Sequence, residues 1–127
     1  MTQPSSHGSA AGTPYRIEKP WGYELVWADT PHYIGKVLFL KAGTRSSLQM
    51  HRKKDETMFL DRGKVVLEFP DSKDAGSVEL KEGDSIRILP GNKHRIHAVT
   101  DSYIYEVSTP HMDDVVRFED DYGRTGG

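Results

Sequence analysis

Apolar side chains alternate with polar ones through most of this chain, in short runs separated by Gly, Asp, Pro and Asn. The runs read "YELVW", "YIGKVLFLKAG", "SLQMH", "ETMFLDRG", "KVVLEFPDS", "SVELKEGD", "SIRILPGN", "HRIHAVTDS" and "YIYEVSTP". A period of two is the period of a half-buried strand, and the β-branched and aromatic content agrees with it. No stretch between the runs carries a helical period. Many short strands with turn residues at regular spacing predict an all-β sandwich or barrel.

The pattern fades at both ends. Residues 1–14, "MTQPSSHGSAAGTP", have no large apolar side chain after Met1, so burial cannot offset the entropy of ordering them. They are expected to form a disordered tail ahead of a single domain at 15–118, with 119–127 as an acidic C-terminal tail. A chain of 127 residues fits one domain with one core.

Charge changes this picture little. Apolar residues make up 35% and charged residues 28% of the chain, with a formal net charge of -2. Bulk charge therefore predicts no nucleic-acid binding, and no run is long enough to span a bilayer, so no membrane association is expected. The N-terminus lacks the basic-then-apolar order of a signal peptide, and the expected location is cytoplasmic. With no cysteine, a bound metal would have to be held by nitrogen and oxygen.

One stretch suits such chemistry. In "SLQMHRKKDET", Gln49 and His51 share a face if the segment is extended, while Leu48 and Met50 take the other. A hairpin at "RKKD" would return Glu56 beside His51. His94, which follows the Pro-Gly turn of "GDSIRILPGNKHR", is a candidate fourth ligand. Imidazole nitrogen and carboxylate oxygen suit Zn, Mn, Fe, Co or Ni, and a neutral Gln49 oxygen would leave the ion more Lewis acidic. The same residues also suit a solvated hairpin tip, and spacing alone does not separate the two.

Taken together, the two segments resemble the paired motifs of the cupin superfamily. Gly43, Gln49, His51, Glu56 and Gly63 follow the first motif, with Gln49 where many cupins have their first histidine. Gly83, Gly91 and His94 follow the second, with Leu89 at the proline position and Pro90 one place later. The glutamine, together with "KPWGYE", "HR" at 94 and 95, "EVSTP" and "DDVVRFEDDYGR", is similar to the cupin domain of type II mannose-6-phosphate isomerases and their small stand-alone relatives. The resemblance spans about residues 16–124.

The resemblance implies a jelly-roll β-barrel and a homodimer. It also implies a divalent metal ion held by Gln49, His51, Glu56 and His94, and isomerisation or epimerisation of a sugar or sugar phosphate. Glu106, on the strand "YIYEVS" with Ile104 and Ser108, is the first candidate base and Lys54 the second. Arg95 is a candidate binder of a phosphate or hydroxyl, although strand alternation turns it away from the face of His94. Trp21 suits a core seal more than a sugar-stacking platform, and His97 suits a sheet surface. Two other functions stay open: a sugar-binding cupin without turnover, and a metal-dependent oxygenase, which Gln49 disfavours.

Overall fold

The structure, a computed structural model, describes residues 9–73 and 76–124. The expected strands form, and two more join them. In chain order they are β1 (Tyr15–Lys19), β2 (Gly22–Asp29), β3 (Ile34–Leu40), β4 (Leu48–Met50), β5 (Glu56–Arg62), β6 (Val65–Glu68), β7 (Ser77–Leu80), β8 (Ser85–Ile88), β9 (Arg95–Ala98), β10 (Ser102–Ser108) and β11 (Val116–Glu119). There is no helix among the described residues, and so none long and apolar enough to cross a membrane. Residues 9–14 are exposed and outside any strand, whereas residues 1–8 of the expected tail lie outside the described residues.

Two sheets make a jelly roll. The larger runs β1-β2-β3-β10-β5-β8, with every neighbouring pair antiparallel. The second is built from β7-β6-β9 and from β11-β4, joined by bridges between Arg45 and His97 and between Gln49 and His94. Strands adjacent in sequence often lie in different sheets, so the core closes between the two layers. At its centre are Leu40, Leu60, Leu67 and Ile104, all fully buried.

The inward rows change character along each strand. On β10, Ile104 is followed by Glu106, and on β5, Leu60 and Met58 lead to Glu56. On β3 the row passes from Leu40 and Leu38 to Lys36. Alternation fixes which residues face inward. Because the charged members fall at matched registers, Glu106 opposite Lys36 and Met58, one end of the barrel is apolar and the other is ionic.

Turn glycines set the corners. Gly63 has φ +102°, and a Cβ there would lie 2.3 Å from Oγ of Ser102 and 2.5 Å from the Asp101 carbonyl oxygen. Only glycine fits this left-handed, crowded turn between β5 and β6.

The "RKKD" segment is not a hairpin. β4 pairs with β11, whereas β5 pairs with β10 and β8, so residues 51–55 cross from one sheet to the other. A hairpin would leave the loop's backbone groups to water. Here the Asp114 carboxylate accepts the N–H groups of Arg52, Lys53 and Lys54. The C-terminal stretch is likewise part of the barrel. β11 pairs with β4, Asp121 takes a two-pronged contact from Arg45, and Asp120 one from Arg124.

Candidate metal centre and its cavity

His51, Glu56 and His94 reach one point from three elements. His51 closes β4, Glu56 opens β5 in the other sheet, and His94 precedes β9. All three are buried, and their candidate ligand atoms lie within 4.8 Å of one another. Nε2 of His51 is 3.6 Å from one Glu56 oxygen, and Nε2 of His94 is 3.5 Å from the other.

Backbone carbonyls orient both rings. Nδ1 of His51 donates to the Asp114 carbonyl, and Nδ1 of His94 donates to the Asn92 carbonyl at 2.9 Å. Each Nδ1 therefore carries the proton, and each Nε2 presents its lone pair to the centre. Burial, reinforced for His51 by Lys54, pulls both histidines below the ordinary imidazole value and keeps them neutral. The turn before His94 is tied to His51 as well, since the Gly91 N–H donates to the His51 carbonyl at 2.7 Å.

Four acceptor atoms thus meet, and the donor beside them, the Lys54 ammonium, reaches one of the four, Oε2 of Glu56, at 2.8 Å. Nε2 of His51, Nε2 of His94 and both Glu56 oxygens are buried without a hydrogen bond. Buried polar atoms in folded proteins are almost always satisfied, so a cluster made only of acceptors calls for a cation. The donor set fits a divalent transition ion: two neutral imidazoles and one carboxylate.

Gln49 sits beside this group. Its N–H donates to the His94 carbonyl at 3.0 Å and its carbonyl accepts the His94 N–H at 2.8 Å, so the two residues face each other across the sheet. The side-chain oxygen of Gln49 accepts a hydrogen bond from the Ser47 hydroxyl at 2.7 Å, and Gln49 lines the cavity with Ser47.

Lys54 and Glu106 form the next layer. The Lys54 ammonium lies 2.8 Å from Oε2 of Glu56 and 3.0 Å from Oε2 of Glu106. Both oxygens lack a well-aligned hydrogen bond, so these contacts act mainly through charge. Burial alone would lower Lys54, but the charges of Glu106 and Glu56 outweigh it and raise its pKa above the ordinary lysine value. With a carboxylate on each side, the protonated form of Lys54 is favoured, which weighs against its expected role as a base. Burial and the charge of Glu106 push Glu56 up, against the pull of Lys54. Burial also opposes ionisation of Glu106, yet Lys54 and Lys36 outweigh it and draw its carboxyl below the usual range. Glu106 faces into the barrel, as its place in β10 requires.

A cavity of about 380 Å³ opens over these groups. Glu106, Lys54, Glu56, His51 and Gln49 lie along it, Trp21 and Met58 give it an apolar wall, and fully buried His94 stands behind the others. Trp21 is at once a core residue and a wall of the cavity.

A second charged group stands elsewhere on the wall: Lys19, Arg117 and Arg124. Burial lowers the Lys19 ammonium, and the charges of Lys36, Arg117 and Arg124 add to this against the pull of Glu24. Glu24 itself pairs with Lys36 at 3.1 Å, and Arg124 with Asp120 at 2.9 Å. Nε of Arg117 is buried without a hydrogen-bond acceptor.

Arg95 is not among these residues. Its guanidinium turns away from His94, donates to the Ser46 carbonyl at 2.9 Å and the Glu119 carbonyl at 3.3 Å, and lies 3.8 Å from Asp121. Expected as a candidate phosphate or hydroxyl binder, Arg95 lies instead off the cavity as a buried clamp on the second sheet, on the side to which strand parity assigns it. Asp114, Arg117 and Arg124 all fall within "DDVVRFEDDYGR", a stretch that supported the resemblance without assigning them work. Their sequence spacing relative to His51 carries no signal of contact.

No protein-family model matches the chain, and comparison with curated proteins gives no match. Solved structures do match. The structure of KdgF from Halomonas sp. has a TM-score of 0.69 at 19% identity, covering 79% of this chain and 89% of that one. The capsular polysaccharide assembling protein CapF from Staphylococcus aureus gives a TM-score of 0.69 at 20% identity. That match covers 86% of this chain but only 32% of CapF, so this chain spans about a third of its length. A cupin-2 domain containing protein from Shewanella frigidimarina gives 0.58 at 20% identity, covering 72% and 82%. At these identities the likeness is one of fold, and the fold is the jelly-roll cupin barrel.

Proposed function

We propose that this chain is a metal-dependent isomerase or epimerase of a sugar or sugar phosphate, similar in chemistry to the mannose-6-phosphate isomerases. The observation that carries this is the set of unpartnered buried acceptors on His51, Glu56 and His94 beside the Glu106–Lys54 pair. Those three residues would hold the ion, with Gln49 completing the set once its oxygen leaves the Ser47 hydroxyl. A divalent ion there would supply Lewis acidity toward adjacent oxygens of a bound sugar.

The chain's own groups account for the rest. Glu106 is an inward carboxylate kept ionised by Lys54 and Lys36, so it is available to take a proton from a carbon and return it to the neighbouring one. Lys54 remains cationic and stands where it can offset negative charge that develops on a sugar oxygen. Trp21 and Met58 give an apolar surface to the ring's C–H face. Lys19, Arg117 and Arg124 suit a phosphate or carboxylate on the substrate, and so favour an anionic sugar over a neutral one.

A non-catalytic sugar-binding cupin is the second reading, and the Lys54–Glu106 ion pair favours it, because a carboxylate already paired is a weaker proton acceptor. One experiment separates the two. The purified protein is analysed for metal and then incubated with sugar phosphates in heavy water. Stoichiometric metal with α-carbon proton exchange supports the isomerase, metal and binding without exchange support the second reading, and absence of metal defeats both.

A further inference from the structure

Charged side chains of alternating sign cross the floor of the cavity in one line. At the metal centre Glu56 meets Lys54, and Lys54 meets Glu106. The line continues through Lys36, which pairs with Glu24, to Lys19, on which the charge of Glu24 acts. Backbone register draws it. Lys36 lies opposite Glu106, Glu24 is one strand and one row further on, opposite Leu38, and Lys19 is one more strand and row away, opposite Gly22. All of these residues line the cavity.

The proposed reaction employs both ends of this line but not its middle. Lys36 enters only through its charge on Glu106, and Glu24 has no part. Yet the two form an ion pair at 3.1 Å, with side chains 6% and 14% exposed. A desolvated pair adds little net stability over apolar groups of the same size, and the residues beside it in the same inward rows, Val26 and Leu38, are apolar. Packing alone does not account for it.

Only one oxygen of Glu24 is engaged. The Lys36 ammonium donates to Oε1, while Oε2 has no hydrogen bond among the described residues and stays accessible on the cavity side. The β1–β2 hairpin brings Glu24 there together with an aromatic wall. Its turn consists of Pro20 and Trp21, and the Trp21 carbonyl accepts the Lys41 N–H at 2.9 Å. A Cβ on Gly22 would lie 1.9 Å from the Phe39 carbonyl oxygen, so glycine lets the hairpin pack directly on β3. Lys19, Trp21 and Glu24 therefore reach the cavity from one hairpin.

A hydroxyl both donates and accepts, so two adjacent hydroxyls are matched by an acceptor held beside a donor. Oε2 of Glu24 and the Lys36 ammonium are such a pair. We propose that Glu24 and Lys36 bind two vicinal hydroxyls in the middle of the sugar and so determine which stereoisomer the site accepts. The inference rests on the sugar reading above. With the metal end taking oxygens on carbons 1 and 2 of a hexose, and the cations around Lys19 taking an anion on carbon 6, the pair falls to carbons 3 and 4. An inverted or missing hydroxyl there leaves a charged group without its partner.

The test is calorimetric titration of the full chain as purified, with its metal content measured alongside. The ligands are mannose, glucose and fructose 6-phosphates, followed by the 3-deoxy and 4-deoxy analogues of the tightest binder. Glu24→Ala, and Glu24→Gln as the variant that keeps the shape, should each bind the parent sugar roughly tenfold to a hundredfold more weakly, the scale of a charged hydrogen bond. Metal content and circular dichroism should not change. The wild type should lose about as much with one deoxy analogue, and on that analogue wild type and variants should bind alike, because the hydroxyl that Glu24 accepts is gone. Lys36→Met should behave in the same way toward the other analogue. Losses of one common factor on the parent and both analogues mark a purely structural role and overturn the proposal. So does unaltered binding of the parent by the Glu24 variants. A wild type that lacks metal, or that binds none of the three sugar phosphates, defeats the sugar reading and this inference with it, whereas in the two preceding outcomes the wild type binds and the sugar reading stands.

Discussion

The ammonium of Lys54 lies 3.0 Å from Oε2 of Glu106, and both side chains are buried. The pair couples the base of the proposed reaction to the metal centre, because the same ammonium is 2.8 Å from Glu56. Glu106→Gln keeps the shape and removes the proton acceptor. Exchange of the substrate's α-carbon proton should fall about a hundredfold or more, with metal content unchanged. Unaltered exchange would place the base elsewhere.

Lys54→Met leaves Glu56 and Glu106 as two buried carboxylates without their shared cation. In the metal-free protein this should cost about 3–5 kcal/mol, the scale for breaking a buried ion pair. Added divalent metal should restore much of the melting temperature, because the ion supplies the missing charge and binds only the folded state. A variant as stable as wild type without metal would show that Lys54 is not needed as a counter-charge.

Removing either imidazole should empty the centre. His51→Ala and His94→Ala are each expected to abolish stoichiometric metal while the far-ultraviolet circular dichroism stays that of a β protein, since the apolar core lies toward the other end of the barrel. Full occupancy in the double variant would defeat the ligand assignment.

Asp114 positions the centre without entering it. Its own partial burial works against ionisation, but the N–H groups of Lys53, Arg52 and Lys54 hold its pKa at about 2, below the ordinary 3.8. A depressed carboxyl stabilises the fold above the unfolded value and loses that contribution as pH falls through the folded one. Asp114→Ala should therefore be less stable near neutral pH, by about 1–3 kcal/mol for the lost charged hydrogen bonds, and the gap should close between about pH 4 and pH 2. Metal affinity should also fall, measured by competition with a chelator, because residues 52–54 lose their anchor.

Arg95 and Arg117 should separate cleanly. Arg95→Gln is expected to lower the melting temperature, since it removes a buried clamp on Ser46 and Glu119, while leaving KM unaltered. Arg117→Gln is expected to raise KM for a sugar phosphate much more than for the neutral sugar, with little change in stability. Equal effects on both substrates would remove Arg117 from anion recognition.

Much of this protein was legible along the chain. Alternation located nine of the strands from side-chain period alone, because burial on one face of a strand forces a period of two. β1 and β11 escaped although they also alternate, because each is four or five residues long, about half charged and largely outside the core, so two apolar positions were too few to announce a strand. Strand parity also put Glu106 on one face with Ile104 and Ser108, without saying whether that face was inside, and turned Arg95 away from the face of His94, the second against what family resemblance suggested.

What parity cannot give is which strands meet. The hairpin expected at "RKKD" would make His51 and Glu56 neighbours in one sheet. They meet instead because residues 51–55 cross between sheets at the ionic end of the barrel, held by a carboxylate some sixty residues away. The charge state of Lys54 was likewise undecided in sequence. A lysine beside a metal ligand suggests a lowered pKa, but placement between Glu56 and Glu106 reverses the sign. The sequence by itself determined the strand faces and the identity of the acceptors, since both follow from local period and residue type. Only the tertiary structure decided which acceptors lack a hydrogen bond and which cations share their cavity, because each depends on pairing between segments distant in the chain.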